Sequence, residues 1–236
     1  MAILGMIGGV APPSTIAYYH QLVASYRERV PDGSYPRIII NSIDLQHALR
    51  FLNAGDLDGL ADFLTREIAR LHLAGATFGI LASNTPHVIF AELQRRSPIP
   101  LISIVEATAQ KAKSLGLRRL GLFGSRFTMR SAMYSDTFRS VGLEIFVPGN
   151  AEQELIHDKY MNEIVHERFL PETRAQLLGI AEAMLDRHGI DGLILGGTEL
   201  PLLLTGPTHR GVPLLDTTAI HVETALDRLL ANRAMP

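Results

Sequence analysis

Short strand-and-turn segments recur along this chain at a nearly constant spacing, and that recurrence restricts the fold more than any other feature. Leu4-Gly5-Met6-Ile7-Gly8-Gly9 is echoed by Leu120-Gly121-Leu122-Phe123-Gly124-Ser125, which sets Gly5 against Gly121 at an offset of 116 residues. Ile80-Leu81-Ala82-Ser83 is echoed by Ile194-Leu195-Gly196-Gly197 at an offset of 114, and Pro100-Leu101-Ile102 by Pro213-Leu214-Leu215 at 113. Isolated matches of this kind arise between any two strand–turn segments, but three in one order with so little drift favour a duplicated unit. The runs Leu4 to Ile7, Arg37 to Ile40, Phe78 to Leu81, Leu101 to Val105, Leu120 to Phe123, Leu193 to Leu195 and Val212 to Leu215 read as buried parallel strands. Between them, Leu57, Leu60, Ala61, Leu64, Ile68 and Leu71 line one helical face, and Leu177, Leu178, Ala181, Met184 and Leu185 another. Strands alternating with such helices predict an α/β protein of two pseudo-symmetric domains, each a parallel sheet flanked by helices. The expected domains are residues 1–104 plus 216–236, and residues 105–215.

In parallel sheets ligands lie beyond the carboxyl ends of the strands. Two related copies are therefore expected to turn those ends to a shared active-site cleft. The residues just past the runs are Gly8-Gly9, Ser83-Asn84-Thr85-Pro86-His87, Gly124-Ser125-Arg126 and Gly197-Thr198-Glu199. Gly8 and Gly9 precede Ser14 and Thr15, either of which can cap a helix carrying Tyr18, Tyr19 and Leu22, and a glycine turn at a helix start suits a carboxylate or phosphate. A plain connecting turn fits the same residues. Ser83, Asn84 and Thr85 offer short hydroxyl and amide groups that suit a small carboxylate, and they equally suit an ordinary loop or cap. His87 either joins that pocket or faces solvent from the helix after it. Glu199 is an acid or base if buried, or a backbone partner if not. Arg126 and Arg50 are the cations available to a second carboxylate, or surface ion pairs. Asp216-Thr217-Thr218 reads as the cap of a last helix, with His221 packing on it.

Composition excludes several classes of function. With 22 Lys+Arg against 24 Asp+Glu the net charge is −2, far from the basic footprint of nucleic-acid binding. No apolar run reaches the roughly 20 residues of a membrane span, so neither nucleic acid nor membrane is an expected partner and cytoplasmic residence is the default. Cysteine is absent from all 236 residues, which removes disulfides, thiolate metal sites and cysteine nucleophiles together. The nine histidines form no HxxxH or HExxH grouping, so no metal is expected. Ser83 lacks a G-x-S-x-G elbow.

The segments Gly8-Gly9 through Ser14-Thr15 with Tyr18-Tyr19, Ser83-Asn84-Thr85-Pro86-His87, Leu122 through Met129, Leu195 through Glu199 and Asp216 through His221 together resemble the aspartate/glutamate racemase family of cofactor-independent amino-acid racemases. Hydantoin racemases, maleate isomerases and arylmalonate decarboxylases are its relatives. The resemblance implies an isomerase without cofactor, often a homodimer, binding a small amino or carboxylic acid between two domains. It implies two cysteines facing opposite sides of the substrate α-carbon, one removing a proton as thiolate and the other returning one. Here those positions are Ser83 and Gly197, with Glu199 beside the second. The resemblance assigns carboxylate binding to Asn84, Thr85, Ser125 and Thr198, with Gly9, Arg126 and Thr128 as further candidate substrate-binding residues, and a carboxylate-binding lysine of some relatives falls near Val165, which weakens the expectation of a dicarboxylate substrate. A thiol of ordinary pKa near 8.5 is tunable to thiolate, serine is a far poorer base, and glycine has no proton to move. Two-thiol racemisation is therefore expected to be lost or very weak. A cofactor-free lyase, decarboxylase or isomerase using Ser83, Glu199 or water, and a non-catalytic binding protein, are the alternatives.

Overall fold

A computed structural model describes residues 2–231; residues 1 and 232–236, at the two ends of the expected first domain, lie outside the described residues. The chain divides into two compact units, one drawn from both of its ends, up to Ile104 and from His221 onward, and one running from Val105 to Ile220.

The first unit contains β1 (Leu4–Gly8), α1 (Pro12–Arg29), β2 (Ile38–Ser42), α2 (Leu45–Ala54), α3 (Leu57–Leu73), β3 (Phe78–Leu81), a 3-10 segment over Thr85–Ile89 and α4 (Phe90–Arg96). Helix α5 (Ile104–Ser114) leads out of it. The second unit follows with β4 (Arg119–Gly124), α6 (Arg126–Arg130), α7 (Met133–Ser140), β5 (Glu144–Phe146), α8 (Asn150–Asn162), α9 (Pro171–His188), β6 (Gly192–Gly196), α10 (Leu200–Leu203), β7 (Thr208–His209) and β8 (Val212–Asp216). Helix α11 (Thr217–Leu230) is the last element among the described residues, and the boundary at Ile220/His221 falls inside it.

The first sheet has the order β2-β1-β3, all parallel, and the second the order β5-β4-β6-β8-β7, parallel except for the β7–β8 hairpin. Leu101 adds a single parallel bridge to Gly79 at the β3 edge. It stands to β3 as β8 stands to β6, so both units wind their strands in one order. The expected strand from Leu101 to Val105 is corrected accordingly. Only Leu101 pairs, and α5 begins at Ile104, because Ile104, Thr108 and Ala112 are buried at four-residue spacing and belong to a helical face.

Alternation within β1 sorts the first core into two layers. Leu4 and Met6 pack with Phe78 and Ile80 of β3 against Tyr18 and Leu22 of α1 and Val222, Ala225, Leu226 and Leu229 of α11. Ile7 and Leu81 point the other way, onto Leu60, Ala61, Leu64, Ile68 and Leu71 of α3. Leu57, expected on that face, is 43% exposed because it is the first residue of the helix. Each fully buried Leu or Ile contributes about 1.5–3 kcal/mol of gross transfer free energy, so both layers are needed to hold the strand ends on which the loops sit. In the second unit Leu177, Ala181 and Met184 of α9 bury against Phe123, Leu193 and Leu195, while Leu178 and Leu185 of the same expected face are only partly buried.

Candidate functional site

The loop after β1 is built around Gly9. Its φ of +80° is left-handed, and a Cβ there would lie 2.1 Å from the Ile43 carbonyl oxygen, so only glycine fits. Its amide donates to Thr15 Oγ1 at 2.8 Å. The expected cap at Ser14 or Thr15 is corrected: α1 starts earlier, at Pro12, behind an Ala11 cap that makes no side-chain hydrogen bond. Proline at the helix start needs no amide partner, which frees Thr15 to hold the loop instead. Thr15→Val is expected to lower stability by about 1 kcal/mol, read as a fall in the urea midpoint at unchanged slope. Tyr18 is fully buried, and Tyr19 is exposed.

In the loop after β3, Asn84 is buried while Ser83 and Thr85 are partly exposed. His87 is neither a solvent residue nor an open pocket group. Its Nδ1–H donates to the Ser83 carbonyl at 3.0 Å, and its Nε2 accepts from the Ile104 amide at 3.2 Å. Those partners define the tautomer, since a carbonyl only accepts and an amide only donates. Burial, then the neighbouring His221, lowers its pKa to about 3. His221 is arranged alike: Nε2–H donates to the Ile102 carbonyl at 3.0 Å and Nδ1 accepts from Tyr18 at 2.9 Å. Its pKa is lowered by burial to about 4, and the two rings lie edge to face, 6.1 Å apart. Two neutral imidazoles thus tie the Ser83 loop, α1 and α11 to the segment that leads into α5.

In the loop after β4, Ser125 caps α6 by accepting from the Thr128 amide at 3.3 Å, and the Ser125 and Thr128 hydroxyls are 3.2 Å apart. Both residues are buried. Arg126 is exposed; its guanidinium bonds Glu154 at 2.7 Å, a carboxylate shared with Arg130, and its amide donates to His157 Nδ1 at 3.2 Å. Arg50 is exposed on α2.

The loop after β6 carries a buried polar cluster. Glu199 is 1% exposed, and its Oε2 accepts from Tyr160 at 2.5 Å and from Thr198 Oγ1 at 2.9 Å. Burial, and then the Glu199 charge, raises the Tyr160 phenol well above its ordinary range, so it stays protonated. Gly197 lies against the same ring: a Cβ at this position would be 2.7 Å from Tyr160 Cε2 and 2.8 Å from Cζ. Tyr160 is the member of this cluster that sequence reasoning missed. The available signal was the spacing of Gln153, Ile156 and Tyr160, which are buried together on one face of α8. Asp216 caps α11 as expected, accepting from the Thr218 and Ala219 amides at 2.8 and 3.0 Å, and burial raises its carboxyl pKa. Among the described residues no group of three or more His, Cys, Asp or Glu could hold a metal ion, and no helix is long and apolar enough to cross a membrane.

Comparison with known proteins gives the class to which these parallel α/β units and their loops belong. The family model described as Asp/Glu/Hydantoin racemase matches residues 7–225. The chain belongs to that family. It is 23% identical to the broad specificity amino-acid racemase RacX of Bacillus subtilis over 98% of this chain and 100% of that protein. Among solved structures it is similar to a putative Asp/Glu racemase from Yersinia pestis, with a TM-score of 0.88 and 29% identity over 98% of this chain and 100% of that one. It is also similar to PH1733, an aspartate racemase homologue from Pyrococcus horikoshii OT3, with a TM-score of 0.83 and 31% identity over 97% and 99% of the two chains.

Proposed function

We propose that this racemase-family chain binds a small amino or carboxylic acid through the loops that follow β3, β4 and β6, and that racemisation by two thiols is lost or very weak. The observation that carries this reading is the absence of any cysteine in the sequence, joined to the family resemblance that sets Ser83 and Gly197 at the thiol positions. A serine hydroxyl is a poor base at neutral pH, and a glycine offers no group to take or return a proton. Groups suited to an acid are present: the hydroxyls and amide of Asn84, Thr85, Ser125 and Thr198 are short, uncharged and lie just past strands, and Thr128 lies on α6 beside Ser125. A second reading, a cofactor-free lyase, decarboxylase or isomerase, is favoured by the Tyr160–Glu199 hydrogen bond, since a buried carboxylate paired with a phenol is a proton-handling unit.

The test is a panel of L- and D-amino acids and short carboxylic acids, followed by thermal shift and by chiral chromatography. One or more acids are expected to raise the unfolding temperature by several degrees at saturation, as about 2.7 kcal/mol of linkage at 100 times Kd requires, with little or no racemisation of aspartate or glutamate. Rapid racemisation of either acid overturns the loss of two-thiol chemistry, and a panel without any stabilising acid overturns the binding.

A further inference from the structure

The ring of Tyr160 occupies the space that any side chain at position 197 needs. Besides the two ring carbons already described, the phenol oxygen itself lies 3.0 Å from where a Cβ at 197 would be. The backbone at Gly197 is not in the left-handed region, so the glycine is not required by conformation; it is required by the tyrosine. The ring of Tyr160 and its oxygen-borne proton fill the space beside Gly197.

We propose that Tyr160 is a catalytic residue of this site, the group that exchanges a proton with the substrate α-carbon on one face, with Glu199 as the buried carboxylate that takes and returns that proton. This rests on the acid-binding reading above. Burial assigns the roles: Tyr160 and Thr198 retain 9% and 8% exposure, whereas Glu199 retains 1%. Glu199, the more buried of the pair, is the member that stores charge away from water, and the phenol oxygen, 3.0 Å from where a Cβ at 197 would be, is the member beside the expected thiol position. Thr198 Oγ1 and Tyr160 donate to the same carboxylate oxygen, which holds Glu199 as the acceptor in the resting arrangement.

The step balances without any further reactant. The substrate Cα–H bond breaks and its proton passes to the Tyr160 oxygen as the Tyr160 proton passes to Glu199 Oε2. The electron pair stays on the substrate as a carboxylate-stabilised carbanion or enediolate, and the protein gains one proton on Glu199. Reversal returns a proton to the face it left. The high phenol pKa fits such a relay, because Tyr160 never has to stand as a free phenolate. Chemistry at a single face exchanges the α-hydrogen with solvent once Glu199 equilibrates, and it does not invert the centre.

The experiment incubates the native protein in deuterium oxide with the amino-acid panel. Incorporation at the α-carbon is followed by NMR and configuration by chiral chromatography, with thermal shift on the same samples. Deuterium is expected to enter at least one stabilising acid with retained configuration. Tyr160→Phe, which keeps the ring against Gly197, is expected to slow exchange about 100-fold, the usual scale for a lost acid–base group, while the thermal shift given by that acid persists. Glu199→Gln is expected to act in the same direction. A stabilising acid that takes up no deuterium, uptake with inversion, or unchanged uptake in Tyr160→Phe each overturns the role of Tyr160 and leaves the binding reading in place. Absence of any stabilising acid overturns the binding reading itself and this role with it.

Discussion

Gly197→Cys is expected to destabilise the protein rather than supply it with a working thiol. The new Cβ meets Tyr160 Cε2 and Cζ at 2.7 and 2.8 Å, so the ring has to leave a packed site. Overpacking of this kind costs about 1–3 kcal/mol. Movement of the ring also breaks the hydrogen bond to Glu199, and a buried carboxylate deprived of a donor adds about 1–3 kcal/mol. For a chain of this size a total of about 4 kcal/mol lowers the melting temperature by about 10 °C. Tyr160→Ala opens the space, so Gly197→Cys is expected to cost far less when added to that variant than when added to the native chain. Racemisation of aspartate or glutamate by the Ser83→Cys and Gly197→Cys pair is expected only in the Tyr160→Ala background. Calorimetry of the four chains of the cycle checks the coupling, and a Gly197→Cys protein that melts with the native one sinks it.

Acid is expected to weaken the first unit before its carboxylates titrate. His87 and His221 take up protons near pH 6.5 in the unfolded chain but near 3 and 4 in the folded one. Between those limits the unfolded state binds more protons, so stability is complete above about pH 6.5 and declines as pH falls. At pH 5 each ring accounts for about 2 kcal/mol of loss, or about 4 kcal/mol for the pair. Protonation also has a geometric cost. Neither Nε2 of His87 nor Nδ1 of His221 can accept once it carries hydrogen, and the Ile104 amide and Tyr18 hydroxyl lose their acceptor. Asp216 acts in the opposite sense, its raised pKa favouring the folded state at low pH, and it offsets part of the loss at the acid end. Urea titrations at pH 7.5 and pH 5.0 measure the difference, and equal midpoints contradict the neutral histidine pair.

What could be read without coordinates followed from local signals. The strands from Leu4, Phe78, Leu120 and Leu193 are short apolar runs ended by small residues, and each is a buried parallel strand. The run from Leu101 misled because apolar character says nothing of period over five residues. It contains one bridging residue and the first turn of a helix. The three-residue β5 and two-residue β7 are too short and too exposed to leave an apolar pattern. At the loops, the places of Ser83, Asn84, Ser125, Thr198 and Glu199 within one to three residues of a strand end were legible from the apolar runs before them. Tyr160 was not, because its contact with Glu199 spans 39 residues and depends on how α8 docks. His87 and His221 stayed ambiguous for the same reason. Their partners, Ser83, Ile104, Tyr18 and Ile102, come together only in the folded unit, and Tyr18 lies 203 residues from His221.

Helix α11 gives the order of synthesis a part in folding. Val222, Ala225, Leu226 and Leu229 complete the layer on Leu4, Met6 and Phe78, so one flank of the first sheet stays bare until α11 has left the ribosome. The continuous stretch from Val105 to Ile220 has no such debt. The half translated first is therefore the half finished last, and its uncovered apolar flank is the surface a nascent-chain chaperone would meet.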